Sequence, residues 1–163
     1  MGARPQRSTP TSALREHQSD PALLLALLGR RATRELRDAH AAHDLTPSQF
    51  HLLGLLDEHN DRGQTELATA MDTAASVLVG LLNPLEKRQL IVRARDVTDR
   101  RRHIVHLTQA GQHLFHAALA AQRAVQDALF VGLTPAQRAQ LRDLLREVQR
   151  TLAGQPIACA PEE

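Results

Sequence analysis

One interruption of an otherwise helical pattern constrains this chain most. From Leu90 to Thr108 the helical period gives way to two short runs rich in β-branched and apolar residues, Leu90-Ile91-Val92 and Ile104-Val105-His106-Leu107. A charged loop joins them, so the pattern predicts a β-hairpin set between helices. The loop is lopsided: between Arg93 and Arg102 stand five arginines against two aspartates. A solvated hairpin tip needs no such imbalance. One that enters a DNA groove gains from it, because each phosphate neutralised releases condensed counterions. The net charge of the whole chain is only +2 with histidine neutral, so the basic character is local.

The rest reads as helix. Leucine and alanine dominate, and aromatic residues make up 2% of the 163 residues. Residues 1–19, rich in Pro, Ser, Thr, Arg and Gln, are expected to form a disordered arm, and 154–163 a flexible tail. Asp20-Pro21 offers a capping carboxylate followed by proline at the first helical position, opening a helix expected to run to about His43. Thr46-Pro47-Ser48-Gln49 and Thr134-Pro135-Ala136-Gln137 repeat the signal as capping boxes. The second opens a helix striped by Leu141, Leu144, Leu145, Val148 and Leu152, with Gly154 as its stop. Thr108 is placed to cap a long helix striped by Leu114, Ala118, Ala121, Val125 and Leu129.

Two further helices fit between Gln64 and Leu90, joined by a turn near Met71-Asp72-Thr73. Asp72 or Thr73 is expected to cap the second, which carries Val77, Leu78, Leu81, Leu82 and Leu85. Asn83-Pro84 falls inside that helix and is expected to kink it rather than end it, because Leu85 completes the apolar face. Helices so joined place the second in a major groove, with the following hairpin at the adjacent minor groove.

At this point the residues fit a family. Leu45-Thr46-Pro47-Ser48-Gln49-Phe50, Glu66-Leu67-Ala68, Ser76, Leu85-Glu86-Lys87-Arg88, and above all Asp99-Arg100-Arg101 with Val105-His106-Leu107-Thr108 and Gly111, resemble the MarR family of winged-helix transcriptional regulators. The resemblance covers roughly residues 20 to 153. It implies a mainly α fold: a winged helix-turn-helix lobe over about 45–108, with helices of about 20–43 and 109–153 forming a dimerisation layer. It also implies a cytoplasmic homodimer on double-stranded DNA, at a pseudo-palindromic operator, as a repressor relieved by a small-molecule effector lodged between the layer and the lobes. Carried over by position, Arg101 resembles the wing-tip arginine that enters the minor groove, and Asp99 the carboxylate that steadies it. A guanidinium, planar and weakly hydrated, suits a narrow electronegative groove.

The expected DNA-binding set is Thr73, Ala75, Ser76, Val77, Lys87, Arg93, Arg95, Asp99, Arg100, Arg101, Arg102 and His103. The chain departs from the family at its recognition helix, at Asn83-Pro84 and at Gln89. Recognition helices there present hydroxyls and arginines, whereas Ala74–Gly80 here offers only Ser76, with Thr73 before it. Hydrogen-bonded base readout is thus expected to be thin, leaving thymine-methyl contacts from Val77 or Ala75 and the reading of DNA shape. The family glycine before the first wing strand is replaced by Gln89, which matters if that site needs positive φ.

Other chemistries are weakly represented. His40 and His43, and His113 and His116, are paired three apart on helices, but the spacing is not a recognised zinc pattern, so neither metal nor cofactor is expected. His103 and His106 are expected near phosphates, so that DNA binding strengthens as they charge. One cysteine, Cys159, allows no internal disulfide and lies far from the site used by peroxide-sensing members of the family. No nucleophile–base constellation or Gly-rich phosphate loop occurs, so no catalysis is expected. The longest apolar run, around Leu23–Leu28, falls far short of the ~20 residues of a membrane span, and no secretory signal is expected. The competing reading is a winged-helix module that binds another protein without specific DNA recognition.

Overall fold

The computed structural model describes residues 20–59, 62–95 and 103–152. Its elements are α1 (Pro21–Ala41), α2 (Pro47–Glu58), β1 (Arg62–Gly63), α3 (Gln64–Ala70), α4 (Ala75–Lys87), β2 (Ile91–Arg95), β3 (His103–Leu107), α5 (Gln109–Leu129) and α6 (Pro135–Leu152). The fold is mainly α with one small antiparallel sheet, ordered β1-β3-β2. The arm, the tail with Gly154, and Asp99 to Arg102 lie outside the described residues.

Capping sets the helix starts where the sequence places them. Asp20 Oδ1 accepts from the N–H groups of Ala22 (2.7 Å) and Leu23 (3.3 Å) ahead of Pro21. Thr46 and Gln49 close a reciprocal box at 3.2 and 3.0 Å, and Thr134 with Gln137 repeats it at 3.3 and 2.9 Å. Thr108 Oγ1 accepts from Gly111 N at 3.0 Å. Pro84 sits inside α4, which continues to Lys87.

Three helix ends follow one rule that no glycine announces. Asp44, Asp72 and Gln89 take φ of 52, 48 and 58°. In each case the next residue's N–H reaches back five positions: Leu45 to His40 O, Thr73 to Ala68 O and Leu90 to Leu85 O. These are Schellman closures with aspartate or glutamine where glycine is usual. The first stops α1 at Ala41, short of the expected His43.

The described residues divide into two compact units, the first ending at Val125 and the second beginning at Gln126. The core of the first joins Leu52, Leu53 and Leu56 of α2, Leu67 of α3, Leu78, Leu82 and Leu85 of α4, Ile91, Val105, and Phe115 of α5. Phe115 lies beside the expected stripe of α5; it is buried against Phe50, with ring centroids 5.1 Å apart. His40, buried at the end of α1, stacks on Phe50 at 4.2 Å and its Nε2 lies 3.0 Å from Gln122 Oε1. The N-terminal half of α1 stays uncovered, with Leu24, Leu25, Leu27 and Leu28 exposed.

In the second unit Arg138 pins the turn before α6, donating to Asp127 (2.6 Å) and to the carbonyls of Phe130 (2.8 Å) and Leu133 (3.3 Å). Helix α6 has no buried residue, and Leu144, Leu145, Val148 and Leu152 of its apolar stripe are exposed. Among the described residues no single helix is long and apolar enough to cross a membrane.

Candidate nucleic-acid interface

Helices α3 and α4 meet at a bend of 108°, within the range of DNA-reading helix-turn-helix units. Leu78, Leu82 and Leu85 turn one face of α4 into the core. The opposite face is open, with Ser76, Gly80, Asn83 and Lys87 along its crest and Val77 and Val79 on its shoulders. A shallow groove of about 420 Å³ beside it is lined by Gln64, Thr65, Thr69, Asp72 and Thr73, among others.

The start of α4 corrects one expectation. Its N-cap is Ala74, and no side chain caps it. Asp72 is spent in the left-handed position that closes α3, and the Thr73 N–H is bonded to Ala68 O. The first N–H groups of α4 therefore face outward without an internal acceptor, the condition in which a helix end receives a phosphate.

Strands β2 and β3 pair in register from Ile91↔Leu107 through Arg93↔Val105 to Arg95↔His103. Strand β1 adds Arg62↔Val105 and Gly63↔Ile104 on the other side of β3. A two-residue strand is too short to leave a period in the sequence, so it escapes prediction. Thr108 locks the hairpin to the end of α4: its N–H and hydroxyl lie 3.1 and 3.0 Å from Leu90 O.

Arg93 connects the hairpin to α4. Its Nε donates to Glu86 Oε2 at 3.0 Å, its Nη2 pairs with the same oxygen, and Nη2 also donates to Asn83 Oδ1 at 3.0 Å. The hydrogen bond to Arg93 holds the Glu86 carboxyl below its usual range, and the reciprocal bond raises the Arg93 guanidinium, both against the opposing effect of burial. Glu86 and Asn83 hold the hairpin against α4, a link that sequence reasoning missed. The signal lies in the hairpin: once β2 starts just after the turn at the end of α4, a cation on it comes back over the last turns of that helix. Arg88, next along, donates to the carbonyls of His43 and Asp44 in the turn after α1.

The remaining site residues fall into two groups. Ala75, Ser76 and Val77 are exposed on the first turn of α4, and Lys87 on its last. Arg95 and His103 face each other across the outermost described pair of the hairpin, both exposed. Asp99, Arg100, Arg101 and Arg102 continue that hairpin in sequence, outside the described residues. The histidine pairs do not converge on one point: His116 Nε2 lies 3.1 Å from Asp57 Oδ2, whereas His40 meets Gln122. Among the described residues no group of three or more His, Cys, Asp or Glu could hold a metal ion.

The MarR family model matches residues 45–103, from the residue before the α2 cap to the first residue of β3. Over 107 residues the chain is 36% identical to a Thauera aromatica protein assigned as the transcriptional regulator of an hcr operon, covering 65% of this chain and 64% of that one. Over 106 residues it is 34% identical to the HTH-type transcriptional repressor NicR of Pseudomonas putida, covering 64% and 66%. The chain thus spans just under two thirds of the length of these two curated relatives. Among solved structures, the transcriptional repressor CouR bound to a 23-mer DNA duplex matches with a TM-score of 0.71 at 32% identity, over 82% of this chain and 95% of that one. The bent helix pair, the locked hairpin and these matches together place the chain in the MarR family of winged-helix transcriptional regulators.

Proposed function

We propose that the protein is a homodimeric, sequence-specific DNA-binding repressor that sits on a pseudo-palindromic operator in the cytoplasm and is released by a small-molecule effector. The observation that carries the DNA-binding role is the open face of α4, beginning with uncapped N–H groups and tied through Glu86 and Arg93 to a hairpin that ends in exposed Arg95 and His103. In this reading Thr73, Ala75, Ser76 and Val77 meet the major groove, while Lys87, Arg95 and His103 meet phosphates. Arg100, Arg101 and Arg102 extend to the minor groove with Asp99 steadying the tip. Arg93 acts as a positioning residue, holding the wing against the helix.

Dimerisation is supported by two uncovered apolar faces, Leu24 to Leu28 of α1 and Leu144 to Leu152 of α6. Leaving such stripes in water forfeits about 25 cal/mol for each Å² they would bury, and a second copy covers both. The layer is assigned to about 20–43 and 109–153, and the reading lobe to about 45–108. Effector release rests on the family: a ligand that favours a lobe separation mismatched to half-sites one helical turn apart lowers operator affinity.

Mobility shift with promoter DNA from the protein's own locus, at two salt concentrations, tests the reading. A dimer should give log K against log[salt] a slope of roughly −4 to −8. Binding the promoter no better than random duplex at about 150 mM salt would favour the protein-interaction module, which the apolar residues exposed on α4 would then serve.

A further inference from the structure

Over its first turns the exposed face of α4 is poor in the hydrogen-bonding side chains that a DNA-reading helix ordinarily carries, with Ser76 alone between Ala74 and Gly80. Val77 is 53% exposed and Val79 37%, on either shoulder of a crest formed by Ser76, Gly80 and Asn83. Valine is a mediocre helix former, so neither propensity nor core packing accounts for two of them on this face. At Gly80 an added Cβ would meet nothing within 4 Å, so the middle of the crest is bare. Asn83, the longest polar side chain there before Lys87, has its carbonyl oxygen occupied by Arg93 at 3.0 Å. A crest of serine and glycine lets the helix settle close to the floor of a groove and brings both valines to the base edges.

Among the unmodified bases only thymine offers an apolar group in the major groove, its C5-methyl. A guanine, cytosine or adenine edge set against an isopropyl group gives up water and receives no partner, which is unfavourable. We infer that Val77, assisted by Val79, reads thymine C5-methyl groups, so that each operator half-site carries thymine opposite the first two turns of α4 and the protein discriminates thymine from deoxyuridine there. This rests on the proposed DNA-reading role of α4 and specifies its chemistry.

The experiment uses the full-length protein and a duplex selected by it from a randomised pool. Each thymine of the selected half-site is then replaced, one symmetric pair at a time, by deoxyuridine, which removes the methyl and leaves base pairing intact. Loss of one buried methyl is expected to weaken binding about fourfold, and a symmetric pair about 15-fold. Val77→Ala should abolish most of that sensitivity, with an unchanged urea-unfolding midpoint reporting that the variant is folded. Val79→Ala should reduce it by a smaller factor. A selected sequence whose deoxyuridine versions all bind within 1.5-fold (roughly the assay error) overturns the inference and leaves DNA reading standing. Undiminished sensitivity in both valine variants also overturns it. Selection that returns no preferred sequence overturns it together with the reading on which it rests.

Discussion

Replacing Gly111 by alanine probes the joint that fixes the wing. A Cβ at this position would stand 2.1 Å from Leu90 O, 3.0 Å from Leu90 C and 2.7 Å from Leu107 Cδ1. The leucine side chain can swing aside, but the carbonyl belongs to the turn between α4 and β2. Reaching an ordinary carbon–oxygen contact of ~3.3 Å requires a backbone shift of about 1 Å. That carbonyl accepts from Thr108 N at 3.1 Å, and the Thr108 hydroxyl lies 3.0 Å from it and 2.9 Å from Gln89 O, while the same Oγ1 accepts from Gly111 N. Two or three hydrogen bonds are therefore strained, at about 1 kcal/mol each, and overpacking adds about 1–3 kcal/mol. Alanine returns about 1 kcal/mol of helix propensity. The expected net loss is about 2–5 kcal/mol. Urea unfolding at fixed protein concentration should show the midpoint falling by about 1–2 M with an unchanged slope. Gly80→Ala supplies the contrast, since open space surrounds that site and a gain of about 0.5–1 kcal/mol is expected. A Gly111→Ala protein as stable as wild type would refute the close-approach argument.

Three other outcomes are expected. Gln89→Gly should stabilise by about 0.5–1 kcal/mol in the same assay, because the left-handed conformation at φ 58° burdens any residue with a Cβ. Glu86 has a folded pKa lowered by its bond to Arg93, so its contribution is complete above the unfolded value and disappears as pH falls through the lowered one, below about pH 4.3. Glu86→Gln should therefore flatten the acid limb of a stability–pH curve measured by urea melts, with its largest deficit near neutrality. Arg101→Ala should weaken operator binding in mobility shift by about tenfold or more, and change random-duplex binding far less.

The parts of the fold legible in the sequence are those whose cause is local. Asp20-Pro21, Thr46-Pro47 with Gln49, and Thr134-Pro135 with Gln137 each mark a helix start through a side chain and a proline within four residues, and the structure forms all three. The hairpin was visible because its strands break the helical period. Hidden were the features that depend on distant partners or on backbone choices. Asp44, Asp72 and Gln89 close helices in a conformation usually signalled by glycine. Because of this Asp72, which looks like an N-cap for α4, belongs to the helix before it. Arg93 looks in sequence like one more cation for DNA. Only the hairpin register, with Arg93 opposite Val105, brings it back over Glu86 and Asn83. The open face of α4 was half legible: the scarcity of hydrogen-bonding side chains between Ala74 and Gly80 is plain in the sequence, but the placement of Val77 and Val79 on separate shoulders needs the helix and its buried face.

Arg88 ties two parts of the first unit that sequence keeps far apart. Its guanidinium spans the carbonyls of His43 and Asp44, just beyond α1, while its own backbone finishes α4. Both bonds resist a shift of the end of α1 against the end of α4. One side chain thus fastens the turn after α1 to the last turn of α4, across 44 residues of sequence.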